Sequence, residues 1–206
     1  MSNNKNGAAV EPDAQGIEED VIGEVVILEE EMTIDDLLKM VEFDVETITA
    51  KEYAEIDKHR TEESKYMPML LAKVVTKAPK AWGVVSQVET WQKLPMFGVV
   101  MPVFAKFSGH LKTLPSSIEG IQYNLDDITP VQYEDYRRKL LSNGSVHEQA
   151  ATLAKVVKEC PTLNGGPASL NNWLASPFYT VFVPARQGYA AAATELLTNF
   201  LRRYGV

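Results

Sequence analysis

The chain has 206 residues, a formal net charge of −8 and 45% hydrophobic residues. This is enough apolar material for a core, in one large domain or two small ones. It has no run of about 18 apolar residues, so we expect no membrane span. Residues 1–16 lack the basic and then apolar plan of a signal peptide. The one cysteine, Cys160, permits no internal disulfide, which suits a reducing cytoplasm.

The charge is divided unevenly along the chain. Residues 1–46 contain 14 acidic and two basic residues, a net charge of −12, whereas the remaining 160 residues carry a net charge of +4. Residues 1–20 are also rich in Asn, Gly and Ala and have little apolar surface to bury, so we expect a disordered acidic arm. An arm of this kind either keeps a protein solvated or docks on a basic partner surface.

Residues 21–42 predict a short lead-in to the rest of the chain. The β-branched run 21–28 is typical of a strand, although no partner strand is evident. Thr33 then has the character of a helix N-cap, followed by apolar residues at helical spacing. We therefore predict one amphipathic helix over 33–42, with its apolar side formed by Ile34, Leu37, Leu38 and Val41.

The main feature of the sequence is an internal repeat. The stretch 43–53 returns as 123–133, with Ile, Thr and Tyr at matched places. Residues 71–102 then match 153–184 with 11 identities and no gap. We interpret this pattern as the tandem duplication of one small helical module. Modules of roughly 75–80 residues are small for independent stability, so we expect the two to pack against each other.

Local signals predict the same helices in each copy. Four capping boxes, each a Thr or Ser followed three residues later by Glu or Gln, predict helix starts: Thr49 with Glu52, Thr129 with Gln132, Ser145 with Glu148, and Ser86 with Glu89. The second helix should end before Pro79 or Pro161, because proline disfavours helical geometry in the residue before it. We expect connections at 60–65 and 142–144 between the first and second helices.

Each copy should close with a short tryptophan helix and a longer helix. Pro102 and Pro184 are expected at the starts of the last helices, because an interior proline costs about 3 kcal/mol. The valine-rich pieces 96–101 and 178–183 fit either helical or extended backbone. The expected organisation is mainly α-helical, with two homologous modules after the arm, divided as follows: arm 1–20, lead-in 21–42, module 43–108, linker 109–121 and module 122–206.

No motif indicates catalysis. The three histidines, His59, His110 and His147, occupy unrelated positions without metal-ligand spacing. There is no phosphate-binding glycine loop, nucleophile elbow or HExxH pattern. We therefore expect no catalytic residue, no metal and no cofactor. The basic cluster 137–139 has no counterpart in the first copy and no aromatic platform, so we do not expect nucleic-acid binding.

The repeated aromatic residues have two interpretations. Large aromatic side chains either pack the short helix onto the pair above it, or form an exposed face that binds a partner. On the second interpretation, the candidate partner-binding residues are Tyr53, Trp91, Phe104, Tyr133, Trp173 and Tyr189.

The order of three segments, 49–60, 69–76 and 88–95, resembles the tail assembly chaperones of tailed bacteriophages. The resemblance covers residues 44–108 and, through the repeat, 124–204. It implies a mainly helical, non-enzymatic factor of the host cytoplasm that is absent from the mature virion. Such a factor keeps the tape measure protein soluble and helps recruit tail tube subunits. A tandem module departs from the single module that is usual in the family.

Two other functions fit the same sequence. An acidic phage inhibitor of a host protein would use the N-terminal arm as its binding element. A structural connector subunit would instead be part of the finished virion.

Overall fold

Helices dominate the fold, and two pairs of very short strands accompany them. The computed structural model describes residues 32–204. Within this range the expected mainly α-helical fold is confirmed. The disordered arm predicted for 1–20 and the strand predicted for 21–28 lie outside the described residues.

The described residues contain nine α-helices and four strands, together with one 3-10 turn and three π-helical turns. The first half consists of α1 (Ile34–Lys39), β1 (Glu42–Phe43), α2 (Ala50–Asp57), α3 (Glu63–Val74), β2 (Val75–Lys77), a 3-10 turn (Lys80–Trp82), α4 (Val88–Lys93), the π-helical turn π1 (Met96–Val100) and α5 (Met101–Leu111). The second half consists of β3 (Gln122–Tyr123), α6 (Pro130–Arg137), π2 (Arg138–Asn143), α7 (Val146–Val156), β4 (Val157–Glu159), α8 (Leu170–Ala175), π3 (Phe178–Phe182) and α9 (Val183–Tyr204).

Each half contains one two-stranded antiparallel sheet. Glu42 of β1 faces Lys77 of β2, and Gln122 of β3 faces Glu159 of β4. The helix-to-strand change at Val75 and Val157 differs from the sequence prediction, which placed both residues in helices. The strand pairing satisfies the backbone of these β-branched residues, so the second helix ends sooner than Pro79 or Pro161 requires.

Three of the four predicted capping boxes are confirmed. In the first, the Thr49 hydroxyl accepts from the Glu52 N–H at 3.2 Å, and the Glu52 carboxylate accepts from the Thr49 N–H at 3.0 Å. The boxes at Thr129 and Ser145 have the same geometry. The box predicted at Ser86 is wrong, because α4 begins one residue later, after Gln87, without a side-chain cap.

The valine-rich pieces whose backbone was left open are helical. Both form π turns, in which Val100 N–H donates to Pro95 O at 3.2 Å and Phe182 N–H donates to Pro177 O at 3.0 Å. Pro102 and Pro184 then lie in the first turn of α5 and α9, as predicted. A proline has no N–H to donate to the carbonyl four residues earlier, as an α-helix requires. The wider π turn therefore precedes each of these prolines.

Several helix boundaries differ from the predictions. The lead-in helix, predicted over 33–42, ends at Lys39. The Lys106 ammonium donates to Leu38 O at 2.6 Å and to Val41 O at 2.7 Å, which satisfies carbonyls where the chain leaves the helix. The predicted connections and linker are shorter than expected, because α3 begins inside 60–65, π2 extends into 142–144 and α5 extends into 109–121.

One hydrophobic core runs through both halves. Its largest fully buried side chains come from both in similar numbers: Ile48, Leu70, Leu71, Val74, Trp91, Val100 and Phe107 from the first half, and Leu140, Leu153, Trp173, Phe182 and Tyr189 from the second. The two halves therefore share a core, as their small size leads us to expect.

The halves meet where α2 lies against α7, α8 and π3. Ala50 N–H donates to Ser176 O at 2.9 Å, and Phe178 N–H donates to Ile48 O at 2.8 Å. Beside these hydrogen bonds the Tyr53 ring stacks on the Phe178 ring, with centroids 3.7 Å apart. We call this set of contacts the junction.

The first capping box should make stability depend on pH. A hydrogen bond from the Lys73 ammonium, 2.9 Å away, is the largest cause of a lowered pKa for Glu52, followed by the Thr49 N–H. A carboxylate whose pKa is lowered on folding stabilises the folded state at pH values above its unfolded pKa, which is near 4.5 for Glu52. This stabilisation is lost as the pH falls through the folded pKa.

We therefore expect Glu52→Gln to keep the cap but to lose this pH-dependent contribution. Gln132 already forms such an uncharged capping box in the second half. The unfolding free energies of the variant and the wild type should differ by less than about 1 kcal/mol, because the Glu52 and Lys73 side chains are both partly exposed. Denaturant unfolding at pH 7 and below pH 4.5 measures it, with Glu119→Gln as the control. Equal pH profiles for the wild type and the variant would contradict the assignment.

Candidate functional site

The two repeated tryptophans belong to the core. Trp91 is 1% exposed and Trp173 is 0% exposed. Each indole N–H donates to a backbone carbonyl six residues earlier, Val85 O and Pro167 O respectively, at 2.7 Å in both cases. A buried indole with its one donor satisfied is a packing element. These side chains have no surface to offer a partner in this conformation.

Two more candidate residues also serve packing. Tyr189, selected as a candidate partner-binding residue, is fully buried in this conformation. Its ring lies edge-on to Tyr123, with centroids 5.9 Å apart, and burial raises the pKa of Tyr189 to about 12. Phe104 is half-buried and lies edge-on to Tyr66, with centroids 6.3 Å apart.

The structure places Tyr53 and Tyr133 in different surroundings, although they are matched in the repeat. Tyr53 lies in the junction, where its hydroxyl is 3.2 Å from that of Tyr66 and burial raises its pKa. Tyr133 is half-buried at the wall of an open groove. The six candidate residues therefore do not form one site, and Tyr133 is the candidate that lines the apolar groove.

That surface is an apolar groove between the start of α6 and the middle of α9. It has a volume of about 410 Å³. Leu196 and Leu197 are each about half exposed along its edge. We call it the second-half groove, and it is lined by Leu125, Ile128, Pro130, Tyr133, Ala193, Leu196 and Leu197.

A larger cleft lies between the two halves, beside the junction. Its volume is about 960 Å³. Ala54, Val146 and Leu174 supply apolar side chains, whereas charged residues such as Lys51 and Glu55 are exposed at its rim. We call it the interhalf cleft. An apolar floor with a polar rim is the usual composition of a protein-binding surface.

Groups capable of covalent or metal chemistry are dispersed. Among residues 32–204, no group of three or more His, Cys, Asp or Glu side chains is arranged to hold a metal ion. Cys160 is buried, with its sulfur 3.7 Å from the Thr162 hydroxyl. His59 is 3.2 Å from Glu62, and His110 stacks on Phe43. Within the described range, no helix is both long enough and apolar enough to cross a bilayer.

Comparisons of the chain with protein-family models, with curated proteins and with solved structures gave no match. The geometry of its own surfaces is therefore the basis for considering its function.

Sequence reasoning missed the most exposed large apolar side chain of the described residues. Phe97 is 83% exposed at the start of π1. Its match at an offset of 82 is Tyr179, which is half-buried in the junction. The aromatic pair at 97 and 179 is visible in the sequence alignment of the two copies, but which member is covered depends on tertiary packing.

The core assignment of the tryptophans is testable. We expect Trp91→Ala and Trp173→Ala each to lower the unfolding free energy by roughly 3–5 kcal/mol, as large-to-small core changes do. Phe97→Ala, at an exposed position, should change it by less than about 0.5 kcal/mol. Urea unfolding followed by circular dichroism measures all three. Wild-type stability of either tryptophan variant would contradict a core role.

Proposed function

We propose that the protein is a non-enzymatic tail assembly chaperone of a bacteriophage. It acts in the host cytoplasm, keeps a tape measure protein soluble, helps to assemble tail tube subunits and is absent from the mature virion. Its partners are these protein clients.

The resemblance of segments 49–60, 69–76 and 88–95 to that family supports this proposal. In the fold, these segments include α2, the last six residues of α3 and all of α4, and α3 packs against both α2 and α4. The segments that carry the resemblance are therefore neighbours in one helical unit.

The interhalf cleft is the observation that carries the proposal. At about 960 Å³ it is large enough for several side chains of a client segment. Its apolar floor suits the buried side of an amphipathic helix, and the mixed charges at the rim suit the polar flanks of that helix. Ala175, which is exposed in the cleft, lies at the end of α8, where a larger side chain would fill the space that a client needs.

Co-expression with the tape measure protein of the same phage tests the proposal. We expect wild-type chain to increase the soluble yield of the tape measure protein several-fold. Ala175→Arg should abolish this increase, because the new side chain occupies the cleft. The matched control is Ala105→Arg, an exposed alanine on α5 that does not line the cleft.

The results distinguish the proposal from its alternatives. If wild-type chain does not increase the soluble yield, or if both arginine variants act alike, the cleft is not a client site. Purified virions should lack the protein by mass spectrometry. Its presence there in a fixed ratio to the tail tube subunit would favour the structural connector.

An acidic inhibitor of a host protein is the second candidate, favoured by the charge division of the sequence. Residues 1–46 carry a net charge of −12. A segment of that charge attracts basic surfaces and speeds association at low ionic strength. This function would place the main binding energy in the arm and not in the helical unit.

Deletion of residues 1–20 separates these two functions. For a chaperone that grips its client by apolar surfaces, we expect affinity for the tape measure protein to be retained at physiological salt. Association should slow only at low salt, where charge steering is strongest. Calorimetry and stopped-flow binding measure the two effects. Loss of binding at both salt concentrations would contradict the cleft as the main client site.

A further inference from the structure

The junction joins two surfaces, each of which is matched elsewhere in the chain. One surface is the start of α2 with the residues before it, where Val45, Ile48 and Ala50 are all buried. The other is the corner at 177–179, where Pro177 precedes π3. The internal repeat supplies a second version of each surface, and among residues 32–204 the side chains of these second versions are mostly more exposed than their matches.

The second-half groove is the repeat of the first surface. At an offset of 80, Leu125, Ile128, Pro130 and Tyr133 correspond to Val45, Ile48, Ala50 and Tyr53. The backbone at the matched N-caps is alike, with φ −79° and ψ 160° at Thr49 and φ −68° and ψ 157° at Thr129. Three of the matched side chains nevertheless differ in burial, since Leu125 and Ile128 are only half-buried and Pro130 is exposed, whereas their three matches are buried.

The corner at 95–97 is the repeat of the second surface. At an offset of 82, Pro95, Met96 and Phe97 correspond to Pro177, Phe178 and Tyr179. The backbone again agrees, with φ −58° and ψ 122° at Pro95 and φ −55° and ψ 125° at Pro177. In the junction, Phe178 and Tyr179 cover the Tyr53 ring, but the described residues leave Phe97 83% exposed.

We propose that copies of this chain associate head to tail, with the 95–97 corner of one copy docked in the second-half groove of the next. Phe97 and Met96 would cover Tyr133 as Tyr179 and Phe178 cover Tyr53. The occupant is a second copy because the same chain presents both surfaces, in the backbone conformations that already fit each other at the junction.

Two differences between the internal and external contacts refine the proposal. Pro130 matches Ala50 but has no N–H, so the hydrogen bond from Ala50 N–H to Ser176 O has no equivalent. The hydrogen bond from Phe178 N–H to Ile48 O can be repeated, between Met96 N–H and Ile128 O. In compensation, Leu196 and Leu197 of α9 add apolar contact that the junction lacks. We therefore expect the contact between copies to be weaker than the junction, whose two sides belong to one chain.

Exposed charges close to the two surfaces are complementary. Lys93 lies two residues before Pro95, whereas Asp126 and Asp127 lie just before Ile128. Opposite charges at the rim of an apolar contact speed association and favour one orientation. A contact between different surfaces of identical chains is heterologous, so it extends into a row or closes into a ring.

The test uses full-length protein and two variants that each block one end. Phe97→Asp removes the corner and leaves the groove, whereas Leu197→Asp spoils the groove and leaves the corner. Both positions are exposed, so each variant should fold as the wild type does, which circular dichroism checks. Val84→Asp, at another exposed apolar position, is the control.

Sedimentation velocity over a range of protein concentrations gives the readout. We expect wild type and Val84→Asp to form species larger than dimers as concentration rises, and each end-blocked variant alone to stay monomeric. An equimolar mixture of the two variants should form a 1:1 dimer and nothing larger, because one intact groove meets one intact corner.

Three results would overturn the proposal. These are a monomeric wild type at its highest soluble concentration, a mixture of variants that stays monomeric, and end-blocked variants that associate like the wild type. The inference does not depend on the chaperone function, since the measurement includes no client. Failure of either proposal therefore leaves the other standing.

Discussion

The stack of Tyr53 on Phe178, beside the backbone hydrogen bonds of the junction, is the contact on which the fold depends. Helix α2 has only eight residues, which is too short to be stable alone in water. Its capping box contributes about 1 kcal/mol. Packing of α2 against α3 in its own half and against α7, α8 and π3 of the second half supplies the rest, so the second half helps to complete the first.

The repeat makes this dependence asymmetric. On the proposed duplication, two copies of a unit with two complementary surfaces would form one internal junction and leave one surface of each kind at the ends. The second-half groove and Phe97 would be those remaining surfaces. Helix α9 has 22 residues against 11 for α5, and its additional turns place Leu196 and Leu197 beside the groove. These two side chains shelter part of the second-half groove, whose counterpart in the first half is buried in the junction.

Most features set by neighbouring residues were predictable, with the box at Ser86 as an exception. Features set by tertiary contact were not. The boxes at Thr49 and Thr129 and the prolines at 102 and 184 depend on local geometry, and these predictions are confirmed. Two-residue strands such as β1 have no periodicity to recognise. A tryptophan at helical spacing fits both core and surface, so the sequence could not decide that Trp91 is buried. Whether Phe97 is exposed depends on what packs over it in the tertiary structure, which the neighbouring residues do not reveal.

The two proposed surfaces involve different residues, and this makes the two proposals compatible. Head-to-tail contact uses the second-half groove and the 95–97 corner, whereas the client would bind in the interhalf cleft. A row of copies would therefore present one cleft per copy at a fixed repeat. A long client with several apolar segments gains effective concentration at each further cleft once the first is bound. Weak individual clefts are then sufficient for a client as extended as a tape measure protein, and dissociation of the row would release it.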